Sequence, residues 1–172
     1  MNWKNILAVI AAGLSGFMLG LSGKFIYESS TFRPYAWPQN KDPIIINCYG
    51  KDFNKYQMER AIEYWKIKGE SIGAYIHNPG TVACKNKWLE GFIILKKSED
   101  LRHDPVILAN TRRYTSITTI RGAVIHYKPG TQNLNLINEH ELGHALGFAH
   151  VDISGHVMHP LYHKMGRDYW VP

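Results

Sequence analysis

Cysteine is scarce in this chain: its 172 residues include only two, Cys48 and Cys84. They lack the close spacing of a thiolate metal site, and one pair cannot staple a miniature domain. At most they form one disulfide between the first apolar strand and the segment before Trp88. Two buried free thiols are the alternative. Acidic residues are also few, 14 against 20 lysines and arginines, which leaves a formal charge of +6. The excess is scattered, with Lys96-Lys97 and Arg112-Arg113 as its densest pairs. No basic stripe or nucleic-acid module is present, so no nucleic-acid partner is expected. Internal repeats and low-complexity tracts are missing as well, which argues for one ordinary globular domain.

Charge itself is missing from Asn5 through Gly23, between Lys4 and Lys24. A helix of that length approaches the ~30 Å of a bilayer core. Lys4 and the amino terminus favour a cytoplasmic N-terminus, with the remainder outside. Gly13, Gly16 and Gly20, with Ser15 and Ser22, would suit close helix association. A cleaved signal peptide with its export site near Ser22-Gly23 is the rival reading, although the apolar run is long and no A-x-A pattern follows. A buried helix of a soluble fold is the third. The expected organisation is a transmembrane anchor or uncleaved signal over residues 1–27, a linker over 28–42, and one domain over 43–172. The protein is therefore expected to be single-pass and membrane-bound with its domain outside the cytoplasm, or secreted after cleavage.

What the chain does contain is His140-Glu141-Leu142-Gly143-His144-Ala145-Leu146-Gly147-Phe148-Ala149-His150, an H-E-x-x-H-x-x-G-x-x-H string. On a helix, His140 and His144 are four residues apart and present both imidazoles on one face. Glu141 lies between them, able to reach a water on the metal without ligating it. Gly147 lets the chain leave the helix with φ > 0, and the turn brings His150 back as third ligand. Three ligands leave one coordination position open, the mark of a catalytic zinc. Chance would place these five residues in roughly one chain in a hundred thousand, so an incidental helix pattern is not a serious competitor.

Downstream, Met158 follows within Val157-Met158-His159-Pro160-Leu161-Tyr162. The motif plus this methionine resembles the metzincin metalloproteases, whose Met-turn floors the three imidazoles. Within that clan, Asn135-Leu136-Ile137, Leu146 to His150 and Val157 to Tyr162 look most like the matrixins. The resemblance extends weakly over residues 43 to 162. It implies an α+β zincin-like domain, a twisted mixed sheet backed by two helices, one of them the active-site helix. It also implies that Pro160 and Tyr162 wall the S1′ pocket, that Leu136 lines its base, and that Leu108 and Ala109 belong to a strand bordering the cleft.

The local patterns agree with that order. Pro43 to Tyr49 reads as a strand. Asn54 reads as the cap of a helix to about Lys68, with Tyr56, Ala61, Ile62, Tyr64 and Trp65 in its apolar stripe, ended by Gly69. Ser71 to His77, Gly91 to Lys97, Val106 to Asn110 and Ala123 to Tyr127 read as further strands. The chain departs from matrixins where these carry a second zinc and calcium: Asn110 and His126 stand at the matching places without the acidic residues. One catalytic Zn2+ is therefore expected, and structural zinc and calcium are not. His103-Asp104 reads as a turn before Pro105. No cysteine precedes the domain, so a cysteine switch is not implied. His156, His159 and His163 are either solvated turn residues or include one that assists near the zinc.

The expected activity is zinc-dependent hydrolysis of peptide bonds in a protein or peptide substrate, with Glu141 as general base. The alternative is a catalytically silent, membrane-tethered zinc protein of the same fold. The intact Glu141 argues against silence, whereas the ten residues after Tyr162, which imply a reduced lower wall to the cleft, argue for it.

Overall fold

The β-branched run Ile44-Ile45-Ile46 is poor in a helix and well suited to a pleated surface. In the computed structural model it opens strand β1 (Ile44–Asn47). Residues 33–77 and 82–168 are described, and the charge-free segment lies outside them. Helix α1 (Lys55–Ile67) follows, with the Asn54 side chain accepting from the amides of Tyr56 and Gln57. Then come β2 (Tyr75–Ile76), β3 (Phe92–Lys97), β4 (Ala109–Ser116), β5 (Thr119–Tyr127) and helix α2 (Ile137–Leu146).

The strands form one sheet in the order β2-β1-β3-β5-β4. The first four are mutually parallel, and β4 pairs antiparallel with β5 at the edge. Strands of a parallel sheet are covered on both faces, which explains the unbroken apolar runs in β1 and β3. Ile45, Ile93, Leu95, Ala123 and Ile125 share one core with Met58, Ala61 and Trp65 of α1 and Leu142, Ala145 and Leu146 of α2. Ile46, Ile94 and Val124 alternate with them and are buried on the opposite face. The segment after residue 81 adjoins this sheet: Trp88 stacks on Tyr114 at 4.8 Å. Lys96 donates to the Asn86 carbonyl over 2.6 Å. Cys48 and Cys84 are joined in a disulfide, with their Cα atoms 5.4 Å apart.

The architecture is the expected mixed sheet with two helices, but several elements shift. In α1 the buried stripe is Met58, Ala61, Ile62 and Trp65, while Tyr56 is 73% exposed. The i, i+3, i+4, i+7 arc starts at Met58, and Tyr56 falls off it. The strand expected over Ser71 to His77 shortens to two residues. The strand expected over Val106 to Asn110 begins only at Ala109 and continues through Arg112-Arg113. Before it, Asp104 Oδ1 accepts from the amides of Val106 and Ile107, both at 2.8 Å, and closes the turn expected at His103-Asp104. Val106 is left 78% exposed. Residues Arg33 to Trp37, placed in the expected linker, lie against the domain. Arg33 forms a two-pronged ion pair with Glu70 at 2.8 and 2.7 Å, and Trp37 donates to the Ala145 carbonyl at 2.9 Å. Among the described residues no helix is long and apolar enough to cross a membrane.

The disulfide spans 36 positions, and closing a loop of that size restricts the unfolded chain by about 4 kcal/mol at most. A Cys48→Ser/Cys84→Ser variant is expected to lose about 2–4 kcal/mol of stability. A urea titration of both proteins measures the difference, and equal midpoints would show that the bridge does nothing for the fold.

Candidate active site

Helix α2 carries the first two histidines, and main-chain carbonyls outside the helix determine where their rings point. His140 Nδ1–H donates to the Val157 carbonyl over 2.8 Å, and His144 Nδ1–H donates to the Phe148 carbonyl over 2.9 Å. A carbonyl only accepts, so both rings carry their proton on Nδ1 and a bare lone pair on Nε2. Gly147 has φ +112 and turns the chain out of the helix. Its missing Cβ also makes room for the Tyr35 carbonyl. That turn delivers His150.

The Nε2 atom of His144 lies 3.1 Å from that of His140 and 3.0 Å from that of His150. With no proton between His140 and His144, this is two lone pairs face to face rather than a hydrogen bond. A zinc ion with Zn–N bonds near ~2.0–2.1 Å holds tetrahedral ligands about 3.3 Å apart. The donor set and its spacing fit that ion. Burial makes the same point: it pushes His140 down to about 4 and His144 to about 3, and it lowers His150 as well. His140 and His144 are thus kept neutral, the form that ligates, and His150 is shifted in the same direction. Among the described residues this is the one group of three or more side chains arranged to hold a metal.

Glu141 is buried beside the triad, and the Thr111 hydroxyl of β4 donates to its Oε2 at 2.6 Å. Burial pushes this carboxyl up to about 7, opposed by the Thr111 bond. Under the helix, Met158 is fully buried, and its sulfur and the Trp65 ring occupy the space where a Cβ on Gly143 would stand. Any larger residue at 143 would push α2 off this floor.

A cleft of about 700 Å³ runs past the triad between β4 and the segment after Met158. Leu108, Ala109, Pro160 and Tyr162 line it. Leu136 does not. It is buried with φ +63 immediately before α2, and the neighbouring Ile137 reaches the cleft instead. His156 and His159 are buried, not solvated. Their Nδ1 atoms accept from the amides of Met158 and Leu161, and His159 Nε2 meets Asp152 at 3.1 Å. His163 lines the cleft. His126 stands opposite Asn110 in the β4–β5 ladder. Burial lowers its pKa, with Lys96 and Arg112 adding to the effect. Sequence reasoning missed Thr111 and Arg113, because alternate polar residues on a strand look like solvent-facing ones until a helix is placed against them.

A mixed sheet, a helix bearing two imidazoles, a glycine turn to a third and a buried carboxyl define a metallopeptidase of the metzincin kind. The sequence model of the matrixins matches residues 49–170, and the chain belongs to that family. No curated protein sequence matches it. A matrixin catalytic domain with this triad is a zinc-dependent endopeptidase, and the triad provides one catalytic zinc site.

The depressed histidines give the metal-free fold a pH dependence of definite sign. Between about pH 4.5 and 6.5 the unfolded chain protonates His140 and His144 while the folded chain does not, so stability falls as pH falls. Glu141 works oppositely, binding a proton in the fold but not in the unfolded chain over the same range. Two imidazoles outweigh one carboxyl. Chelator-treated protein should lose roughly 1 kcal/mol per pH unit across this window. Urea midpoints at several pH values measure it, and a midpoint that rises on acidification would contradict the assignment.

Proposed function

We propose that this chain is a membrane-tethered endopeptidase in which Glu141 is the general base and His140, His144 and His150 hold the zinc. The observation that carries the reading is the trio of converging Nε2 atoms beside a buried carboxyl. Zinc held there would act as a Lewis acid, polarising the scissile carbonyl and lowering the pKa of a water toward ~7. Glu141, poised near neutrality by burial, accepts the proton of the attacking water and passes it to the leaving amine. The products are one carboxylate and one amine, and Glu141 returns to its starting state. Thr111 keeps the carboxyl in place through the cycle. Met158 serves as the Met-turn residue, filling the space beneath α2.

Substrate binding follows from the sheet. Strand β4 is at the edge, with β5 on one side only. An extended peptide adds to such an edge by main-chain hydrogen bonds. Leu108, Ala109, Pro160 and Tyr162 would then form the S1′ wall and favour an apolar side chain. Residues 1–27 would anchor the protein, with the domain from residue 43 onward outside the cytoplasm. The disulfide supports that compartment, since such bonds persist where it is oxidising.

Glu141→Gln should retain zinc by elemental analysis and lose at least ~10³-fold in kcat on a degenerate peptide library. Chelation should abolish wild-type cleavage, and zinc should restore it. Undiminished cleavage by Glu141→Gln, or cleavage that persists after zinc is stripped, would overturn the proposed roles. Alkaline extraction should leave the full chain in the membrane pellet; release into the supernatant would favour the signal-cleaved form.

A further inference from the structure

Two half-buried arginines of this domain have carboxylate partners: Arg33 pairs with Glu70 and Arg60 with Glu139. Arg113 is half-buried and has none among the described residues. Its guanidinium donates one N–H to the His144 carbonyl at 2.7 Å and sits 4.9 Å over the Tyr35 ring. Arg113 lines the cleft, where it and Glu141 are, among the described residues, the only lysine, arginine, aspartate or glutamate side chains. A guanidinium offers five donors in a planar fork matched to a carboxylate, and one neutral carbonyl uses little of that capacity.

Its place along the strand gives it a direction. Thr111 and Arg113 project from the same face of β4, two residues or about 7 Å apart. Thr111 marks the Glu141 carboxyl, while Leu108 and Ala109 precede it beside the apolar wall. Arg113 therefore stands past the hydrolytic centre, at the end away from that wall. With the apolar wall as S1′, this is the amino side of the scissile bond.

We propose that Arg113 is the specificity residue of a subsite for an acidic side chain, placed two to three residues before the bond that is cleaved. The peptidase is accordingly one for acidic segments, and the inference rests on the endopeptidase reading above. The bland role is that of a helix cap: Arg113 would satisfy the last turn of α2 and read nothing.

The test uses the full-length, zinc-loaded chain and matched peptides that differ only by Glu or Gln at one position on either side of a common cleavage site. Wild type should prefer Glu over Gln by about tenfold in kcat/KM at one position on the amino side. The preference should collapse in Arg113→Gln, persist in Arg113→Lys, and give way to a preference for a Lys peptide in Arg113→Glu. Ratios between peptides cancel any loss common to all substrates. A second arm measures binding of the same peptides to Glu141→Gln protein with and without the Arg113 change, by fluorescence anisotropy. If no peptide is cleaved, the endopeptidase reading fails, and the binding arm still decides the subsite. Equal Glu and Gln affinities in both proteins, or a Glu preference that survives Arg113→Gln, would overturn the proposal and leave Arg113 a cap.

Discussion

The unprotonated Nε2 atoms of His140 and His144 face one another at 3.1 Å and repel, and the surrounding structure is organised to keep them there. The usual relief would be a proton between them. Burial denies it, by holding His140 and His144 near 4 and 3. Rotation of the rings is blocked by two main-chain carbonyls, Val157 below the helix and Phe148 just beyond it. A divalent cation is the remaining way to satisfy the lone pairs. The zinc site is thus a demand that the polypeptide creates, and metal affinity draws on folding energy already spent.

Such a demand needs a helix that does not yield. The last carbonyls of α2, which the helix itself cannot satisfy, receive side-chain donors from β4 and from the segment that precedes β1. Arg113 reaches His144, Trp37 reaches Ala145, and Arg33 reaches Leu146. Two of the three donors are cations, the favourable sign at a helix C-terminus. At the other end, Tyr127 donates to Asn138, and Trp65 donates to the Glu139 carbonyl. The two glutamates of this helix then divide their roles by environment. Glu139 has the Arg60 guanidinium at 3.0 Å and serves structure. Glu141 has only the Thr111 hydroxyl, so its carboxyl stays available for proton transfer.

How much of this the sequence disclosed depended on whether residue type alone fixed the outcome. The triad, Glu141 and the Gly147 turn were legible because a metal constrains both ligand identity and ligand spacing. The apolar strands β1 and β3 and the capped helix α1 were legible for the analogous reason that burial constrains side-chain class. Strand β4 was misplaced because its residues answer to neither rule: Thr111, Arg113 and Tyr114 meet a helix, a carbonyl and an aromatic ring through long-range contacts. Leu136 is buried outside the cleft lining, which holds its neighbour Ile137 instead. Leu136 has a left-handed φ of +63, and no glycine marks that turn in the sequence. The seat of Arg33 to Trp37 was hidden too, since a Pro-flanked polar stretch reads as a linker until its partner carbonyls are located.

The chemistry and the covalent bracing occupy different parts of the sheet, so the metal is left to the imidazoles alone. The helices, the triad and the cleft share one face, whereas Cys48 and Cys84 close their bridge around the segment that follows residue 81. Both cysteines of the chain are consumed there, so it offers no free thiol. Thiolate binds zinc well, but the bridge follows the end of β1, with β3 and β5 between that strand and the edge strand β4 that borders the triad. The metal site is therefore built from imidazoles, and the two sulfurs serve the fold.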